Sequence, residues 1–317
     1  MVSPVVDLAS CSFRAMGTEV QVLVLDGSDD QVHWARAEVE RCEQRWSRFR
    51  LTSDVSRLSE RAGDWVPVAE ETIELLRAVV RAQEATAGAF DPLLGAHLAS
   101  LGYDRTFDAV DGNGAGAEVP PTIAAGVGAI EIQDAARLAR IPTGTILDLG
   151  GIGKGWTADR LVRMLVAHGA AGACANLGGD LAVAGEAPDL AGWVADVEPA
   201  DGVVPSGLLA LRSGGLATST TRRRRWLGPA GDRRHHLLDP RSGSPCEGPL
   251  VEVTVVAPSA ASAEVLTKVA FVAPDRFENA LRDAAAAAVC TFADGTVVPG
   301  GDRALWPTLA DEGNDAG

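Results

Sequence analysis

Hydrophobic and polar positions alternate in some stretches of the chain and recur every three or four residues in others. Residues 12–26 alternate and are rich in Val, which predicts a single opening strand. Ser28 and Gln31 then form a capping-box pattern, and the apolar positions that follow, up to Trp46, have the spacing of a helix. Further helices are predicted by the same periodicity at about 70–87, from just after Lys154 to near Gly169, at 259–272 and at 275–287.

The polar stretches between these elements indicate the domain organisation. Residues 106–128 hold Asp, Gly, Ala and Pro with almost no large apolar side chain, which predicts an excursion loop or a join between sub-domains. The tail at 306–317 is small and acidic. We therefore expect one domain over residues 12–305, of the α+β class and with a largely antiparallel sheet. Short strands are predicted at 129–132, 137–141 and 145–149.

The charge balance restricts the classes of partner. The chain of 317 residues carries 43 acidic and 28 basic side chains, a formal net charge of -15, so its overall field repels nucleic acid and anionic membranes. We expect neither as a partner, and the distribution of apolar residues predicts no membrane span. The five cysteines are odd in number, widely spread and without a C-x-x-C pair, which is typical of a reduced, cytoplasmic protein.

Lysine is rare in this chain. Only Lys154 and Lys268 occur among the 28 basic side chains, and the rest are arginines. Chance is one explanation. The other is that both positions need a compact ammonium point charge instead of a planar guanidinium.

A glycine-rich segment from Asp148 to Gly155 joins a predicted strand to a predicted helix. Such a junction offers backbone N–H groups and a helix N-terminus to a phosphate, and Lys154 adds a positive charge. The segment is not a Walker A loop, because Asp148 stands where the first Gly of that motif is required and Gly155 where a Ser or Thr is required. Close packing of a strand against a helix is the alternative explanation for these glycines.

Polar clusters follow in the C-terminal half. Asn176–Asp180 is compatible with a tight turn or with a nucleotide contact. The hydroxyl run at 217–221 precedes four arginines, Arg222–Arg225, which suit either a solvated loop or an anionic ligand. Glu264 and Lys268 have the i, i+4 spacing of a helical ion pair, and the rarity of lysine favours a functional role for them.

Seven segments in this order resemble the FAD:protein FMN transferase (ApbE-type) family. Each is weak alone, but together they match in register over about residues 12–275. The segments are Phe13–Thr18, Trp46–Arg50 with Ser53, Gly88–Pro92, Asp148–Gly155, Asn176–Asp180, Ala217–Ser219 and His236–Pro245.

The resemblance implies a two-lobed α+β fold with FAD in a cleft between the lobes. It also implies an enzyme that cleaves the FAD pyrophosphate and transfers FMN to a Thr or Ser hydroxyl of an acceptor protein. Two alternatives remain open at this point: an FAD pyrophosphatase that yields FMN and AMP, and a flavin-binding protein without catalysis. The partners implied are FAD and a protein with a flavinylation site.

The resemblance also implies the residues of the site. His236 is the preferred general base, with Asp239 as its orienter or as a rival base. Ser219 would stand near the reacting phosphate, and Asp180 would contact the nucleotide. The remaining positions implied to contact FAD are Met16, Gly17, Thr18, Phe90, Asp91, Gly150, Gly151, Gly153, Lys154 and Thr218.

The metal site of the family is altered in this chain. Members usually hold Mg²⁺ with a backbone carbonyl of the glycine loop, here that of Gly153, and with an Asp and a Thr four residues apart. Those two positions are Glu264 and Lys268 here, and an ammonium cannot ligate a cation. We therefore hypothesise that Lys268, anchored by Glu264, takes the place of Mg²⁺ beside the pyrophosphate.

Overall fold

The computed structural model describes residues 7–110, 126–189, 192–197 and 207–302. The acidic tail and most of the predicted excursion loop lie outside these ranges. The helices are α1 (Asp29–Trp46), α2 (Asp54–Glu60), α3 (Glu70–Ala85), α4 (Gly95–Ser100), α5 (Gly153–Ala167), α6 (Ala260–Val272) and α7 (Pro274–Asp283). The strands are β1 (Leu8–Ala15), β2 (Thr18–Leu25), β3 (Val66–Pro67), β4 (Glu131–Gln133), β5 (Leu138–Arg140), β6 (Gly172–Leu177), β7 (Asp180–Gly185), β8 (Trp193–Val197), β9 (Gly207–Leu211), β10 (Gly214–Thr220), β11 (Arg225–Leu227), β12 (Arg233–His235), β13 (Leu238–Asp239), β14 (Ser244–Pro245), β15 (Leu250–Ala257), β16 (Ala287–Phe292) and β17 (Val297–Gly301).

One large sheet organises the described part of the chain. Its eight strands follow the order β1-β2-β6-β7-β10-β15-β16-β17, and every neighbouring pair is antiparallel. Helices α1, α5 and α6 pack on one face of it. The β8–β9 hairpin covers part of the other face through Trp193 and Leu209. The predicted α+β class with a largely antiparallel sheet is thereby confirmed.

The opening segment forms a hairpin, so the prediction of a single strand over residues 12–26 was wrong. Ala15 pairs with Thr18 across a two-residue turn, in which Met16 and Gly17 have φ values of 52° and 69°. Two successive residues with positive φ match the right-handed twist of an antiparallel hairpin. The turn therefore brings Met16 and Gly17 to the edge of the main sheet, where they line the cleft described below.

Two further boundaries differ from the sequence prediction. Residues 145–149 form a single bridge between Ile146 and Leu94 instead of a strand, because their other backbone bonds are irregular: Asp148 N donates to Pro92 O at 2.7 Å, and Ile146 O accepts from Gly95 N, the first residue of α4, at 3.0 Å. The last helix ends at Asp283 instead of residue 287. Ala285 has a φ of 50°, and the chain enters β16 at Ala287.

The core is divided among several clusters of buried side chains. Val20, Val22 and Val24 of β2 point to α1 and α5, as the alternation of a half-covered strand requires. A second cluster lies under α3 and the small sheet of β3, β5 and β4, and contains Trp46 and Leu147. Among the described helices, none is both long and apolar enough to cross a bilayer.

Candidate active site

A cleft of about 220 Å³ lies where the glycine loop, the β1–β2 turn and the segment before β13 meet. Its apolar wall includes Phe49, Phe90 and Tyr103, and its polar wall holds acidic and basic side chains. An apolar wall with a few convergent charged groups is the usual form of a small-molecule site.

Arg48 and Asp148 form the floor of this cleft. The Arg48 Nε atom lies 2.6 Å from Asp148 Oδ2, and only 9% of the Arg48 side chain is exposed. The guanidinium stacks on the rings of Phe49 and Tyr103, at 4.2 and 4.8 Å from their centroids, and donates to Tyr103 O at 2.6 Å. A planar guanidinium can make all of these contacts at once, which an ammonium cannot.

The glycine loop is held from both sides. Asp148 Oδ1 accepts a hydrogen bond from Gly150 N at 2.7 Å, and Leu149 O accepts from Gly153 N at 2.7 Å, the first residue of α5. Gly155 is packed against α6, since an added Cβ would lie 2.5 Å from Ala260 O. Both explanations of these glycines thus apply: Gly155 serves close packing, while Gly150, Gly151 and Gly153 line the cleft.

Helices α5 and α6 are fixed to each other at the N-terminus of α6. Asp159 of α5 accepts hydrogen bonds from Ala260 N and Ala261 N, both at 2.9 Å, and so caps α6. One turn further along α6, Glu264 Oε2 accepts from Gly155 N at 2.9 Å. These contacts set the spacing between the lysine of α5 and the carboxylate of α6.

Two lysines and two carboxylates meet beside the cleft. Lys154 Nζ donates to Asp180 and to Glu264 Oε1, the latter at 2.8 Å, and Lys268 Nζ lies 3.8 Å from the same Oε1. Asp180 and Glu264 are 2% and 0% exposed, on a strand start and a helix that are otherwise mostly apolar. Lys154 and Lys268 line the cleft, and the two carboxylates lie behind them.

Burial and pairing shift the pKa values of these four groups in different directions. Burial opposes the charge on Lys154, but Asp180 and Glu264 outweigh it and raise its pKa. Burial and the neighbouring Glu264 raise the pKa of Asp180. For Glu264 the two ammonium groups outweigh burial and lower its pKa, whereas burial, with Lys154 nearby, lowers the pKa of Lys268. The lysines are thus held by one strongly ionised carboxylate, Glu264.

The adjacent hydroxyl groups face in opposite directions along β10. Ser219 Oγ hydrogen-bonds Thr267 Oγ1 at 2.7 Å, and that hydroxyl donates to Glu264 O at 2.6 Å, so Ser219 belongs to the support of α6. Thr218 pairs with Thr254 at 2.9 Å on the other face of the sheet. Neither Ser219 nor Thr218 lines the cleft.

His236 lines the cleft, and its surroundings disfavour the protonated ring. Burial, together with the positive charges of Arg224 and Lys268, lowers the pKa of His236 well below 6.5. Its Nδ1 atom is buried and has no hydrogen-bond partner within the described ranges. Asp239 is bonded instead to Arg241, with Arg241 Nη2 at 2.7 Å from Oδ2, and it lies outside the cleft lining. The geometry therefore gives no support to Asp239 as an orienter of His236.

The other positions implied by the resemblance are divided between the cleft and its surroundings. Phe90 and Asp91 line the cleft, as Met16 and Gly17 do. Burial raises the pKa of Asp91, which accepts from Leu93 N at 2.9 Å and from Gln83 at 3.1 Å. Thr18 does not reach the lining and packs against the turn at Gly178, where an added Cβ would meet its hydroxyl.

Among the lining residues, Arg48 and Tyr103 were not singled out from the sequence, whereas Arg224 belongs to the arginine run that the sequence offered as a site for an anionic ligand. Arg48 stands inside the segment Trp46–Arg50, which carried part of the resemblance, and Arg224 stands inside the run of four arginines. Two sequence signals could have pointed to these residues: Tyr103 is the single tyrosine, and Arg48 is a charged residue within a segment that matches the family.

The donor set does not fit a divalent cation. The oxygen of Glu264 that would face a metal is contacted by the ammonium groups of Lys154 and Lys268, and Gly153 O accepts from Thr157 Oγ1 at 2.7 Å. No group of three or more His, Cys, Asp or Glu side chains suited to a metal occurs in the part of the chain that the structure describes. Hard cations need several oxygen ligands, and positive groups fill that position here.

Comparison with known proteins places the chain in a family. The sequence model of the ApbE family matches residues 16–290, which is most of the chain. The chain belongs to the ApbE family. Among curated ApbE relatives, the "FAD:protein FMN transferase" of Treponema pallidum is 29% identical over 266 residues, which covers 76% of this chain and 72% of the relative. A relative of the same name from Klebsiella pneumoniae is 25% identical and covers 85% and 80% of the two chains.

Solved ApbE structures share the fold. The ApbE protein of Thermotoga maritima superimposes with a TM-score of 0.82 at 24% identity, over 95% of this chain and 99% of the other. The apo flavinyl transferase ApbE of Pseudomonas stutzeri gives a TM-score of 0.77 at 23% identity, over 96% and 98%. These similarities confirm an ApbE-type α+β fold with a large antiparallel sheet.

Proposed function

We propose that this protein binds FAD in the cleft and transfers its FMN moiety to a Thr or Ser hydroxyl of an acceptor protein. The carrying observation is that a half-buried histidine, His236, lines one cleft with Lys154 and Lys268, in surroundings that lower its pKa. ApbE relatives named FAD:protein FMN transferase support the reaction. A neutral imidazole can accept a proton, and fixed cations stabilise charge at phosphorus.

The reaction would be a single displacement at the FMN-side phosphorus. The acceptor oxygen forms a bond to this phosphorus, the bridging P–O bond breaks, and AMP leaves with the bridging oxygen. His236 takes the proton of the attacking hydroxyl. Lys154 and Lys268 neutralise the negative charge that moves to the leaving phosphate.

A second part of the proposal concerns the source of the positive charge at the pyrophosphate. Lys268, held by Glu264, supplies the positive charge that a divalent metal would otherwise place at the pyrophosphate. The contacts of both lysines with Glu264 Oε1 support this proposal, because together with the Gly155 N–H on Oε2 they engage both oxygens of that carboxylate. We therefore expect this chain to act without Mg²⁺.

Two other reactions with FAD are compatible with the same cleft. If water takes the place of the acceptor hydroxyl, the same cleft is an FAD pyrophosphatase that yields FMN and AMP. If an ammonium activates the phosphate too weakly, since it is a poorer Lewis acid than Mg²⁺, the protein binds FAD without cleaving it. The exchange of a metal position for Lys268 makes the second outcome worth testing.

The decisive experiment is incubation of the purified protein with FAD, with and without a Thr-bearing flavinylation substrate, followed by separation of the products. Transfer predicts AMP and a flavin that comigrates with the acceptor after denaturation. Free FMN and AMP in the presence of acceptor indicate the pyrophosphatase. Recovery of intact FAD indicates the binding protein, and retention of no flavin at all would contradict the proposal.

The cellular location is part of the same proposal. All five cysteines are free thiols, and burial raises the pKa of Cys42 and of Cys174 to about 12. Buried, unpaired thiols fit a reducing compartment, which supports the cytoplasm. A redox-sensitive reporter fused to the expressed chain tests this assignment.

A further inference from the structure

Most charged side chains that line the cleft have a partner of opposite sign. Arg48 pairs with Asp148, and Lys154 and Lys268 share Glu264. Arg224 is different. It lines the cleft, and no hydrogen bond or ion pair of its guanidinium occurs in the ranges that the structure describes.

The position of Arg224 is fixed by its neighbours. Its backbone has a φ of 43°, in the left-handed region that a non-glycine residue adopts only when the surrounding structure holds it there. Trp226, two residues later, is buried and donates to Leu101 O at 2.8 Å, which anchors β11. Arg223 and Arg225 are exposed on either side, so Arg224 alone of the three lines the cleft.

The guanidinium of Arg224 lies against the β1–β2 turn. An added Cβ on Gly17 would stand 4.0 Å from Arg224 Nη2, which is ordinary van der Waals contact. The guanidinium therefore lies within about one atom's contact of the turn that lines the cleft. Its charge acts across the cleft, because it contributes to lowering the pKa of His236 and of Lys268.

We propose that Arg224 binds a phosphate of the ligand and makes the cleft selective for phosphate-bearing flavins over the phosphate-free flavin. This inference deepens the proposed function, on which it rests for the identity of the ligand. An unpaired cation kept half-buried beside a neutral histidine is stabilised when an anion enters. The planar fork of arginine can also hold two oxygens of one phosphate, which fixes the orientation of the ligand.

The cleft then holds three cationic groups with different roles. Lys154 and Lys268 are paired with Asp180 and Glu264, which fix their ammonium groups at the cleft wall, where they stabilise charge on the phosphate. Arg224 supplies the uncompensated positive charge that attracts the ligand. Arg224 is accordingly a specificity-determining residue, and loss of its charge affects binding of the phosphate more than binding of the ring system.

The test compares Arg224→Gln with the matched control Arg223→Gln, which removes a neighbouring exposed guanidinium. Binding of FAD, FMN and riboflavin is measured by flavin fluorescence, and binding of inorganic pyrophosphate by calorimetry. We expect Arg224→Gln to weaken FAD, FMN and pyrophosphate by about tenfold to a hundredfold, as loss of a charge-assisted hydrogen bond does. Riboflavin binding and the thermal unfolding midpoint should stay the same, and the control should behave as wild type.

Other results would overturn the inference. The inference is wrong if Arg224→Gln binds FAD and pyrophosphate with wild-type affinity. It is also wrong if the variant loses as much affinity for riboflavin as for FAD. It is wrong, too, if the wild type binds neither FAD nor pyrophosphate. The proposed function fails separately. If the wild type binds pyrophosphate through Arg224 but does not bind FAD, the anion site stands and the flavin assignment falls.

Discussion

Lys268 Nζ lies 3.8 Å from Glu264 Oε1, one helical turn away, where the Glu264 side chain is fully buried and the Lys268 side chain is 16% exposed at the cleft wall. The same oxygen accepts from Lys154 Nζ at 2.8 Å. An exposed pair at this spacing contributes only about 0.3–0.5 kcal/mol. Here the pair is buried beside the cleft, so its effect on function and stability is expected to be much larger.

Metal dependence is the first property that this arrangement predicts. FAD cleavage by the wild type should persist in excess EDTA and should not increase on addition of Mg²⁺. In the double variant Glu264→Asp with Lys268→Thr, oxygen ligands replace the ammonium, and cleavage should become sensitive to EDTA. Separation of FAD, FMN and AMP after a fixed incubation measures the cleavage by the wild type and by the double variant.

The single variant Lys268→Met is the matched control, because it removes the charge without providing an oxygen. It should lose activity that Mg²⁺ does not restore. Complete loss of wild-type activity in EDTA, with recovery on Mg²⁺ addition, would refute the replacement of the metal by Lys268.

Stability should depend on the carboxylate that both lysines share. Glu264→Gln removes the carboxylate that both Lys154 and Lys268 contact, so we expect a loss of about 3–5 kcal/mol in the free energy of unfolding. Glu40→Gln, which breaks an exposed pair with Arg36, should lose about 0.5 kcal/mol or less. Urea denaturation followed by circular dichroism measures both losses.

The pH dependence of that difference has a definite sign. The two ammonium groups hold the pKa of folded Glu264 below its usual range, so ionisation favours the folded state. The stability difference between wild type and Glu264→Gln should be complete above the unfolded-state pKa of about 4.3 and should be lost progressively as the pH falls from there through the lower folded-state pKa. A difference that grows on acidification would contradict this assignment.

His236 should remain neutral, and so able to accept a proton, at a pH where an ordinary histidine is charged. Burial and nearby cations lower its pKa well below 6.5, so its contribution to stability is present above about pH 6.5 and is lost as the pH falls. We expect His236→Gln to reduce kcat by about 10²–10⁴ while the Kd for FAD changes little. Nuclear magnetic resonance of the imidazoles should show one signal, absent in His236→Gln, that does not titrate near pH 6.5.

Much of the fold could be predicted from the sequence, because the capping and the apolar spacing of its main helices are local patterns. The helix of Ser28 and Gln31 has its capping box in the structure, and the helices at Gly153–Ala167 and Ala260–Val272 follow the apolar spacing. The hairpin at Met16 and Gly17 was not predicted, since a methionine with positive φ carries no local signal. The extended segment at 145–149 has the composition of a strand, but beyond a single bridge its backbone bonds are irregular.

The site was harder to predict because its contacts are distant along the chain. The i, i+4 spacing predicted the pair of Glu264 and Lys268, but Lys154 reaches the same carboxylate across 110 residues. Thr218 and Ser219 are neighbours in sequence and face opposite sides of one strand, which no motif specifies. The partnerless state of Arg224 is likewise a property of the folded chain.

Arg48 should act mainly on ligand binding. Arg48→Met removes the partner of Asp148, whose carboxylate holds the glycine loop through Gly150, so we expect the KM for FAD to rise more than kcat falls. The loss in unfolding free energy should be about 3 kcal/mol, as for a buried pair with one partner removed. Arg50→Met, an exposed pair in the same loop, is the control and should be nearly neutral. Equal effects of the two variants would exclude a role for the Arg48–Asp148 pair.

The glycine loop provides a test of packing that is independent of chemistry. In Gly155→Ala the new Cβ would lie 2.5 Å from Ala260 O, which is backbone and cannot rotate away, so α5 and α6 must separate. We expect a loss of about 1–3 kcal/mol in unfolding free energy from this overpacking. In Gly153→Ala the Cβ would lie 3.7 Å from Leu149 Cβ, an ordinary contact, and the helix should be unchanged or slightly more stable.

Because Glu264 receives its backbone hydrogen bond from Gly155 N, only Gly155→Ala should also displace the carboxylate that holds the two lysines. A destabilised Gly155→Ala that regains wild-type kcat at low temperature would show that the catalytic geometry does not depend on this contact.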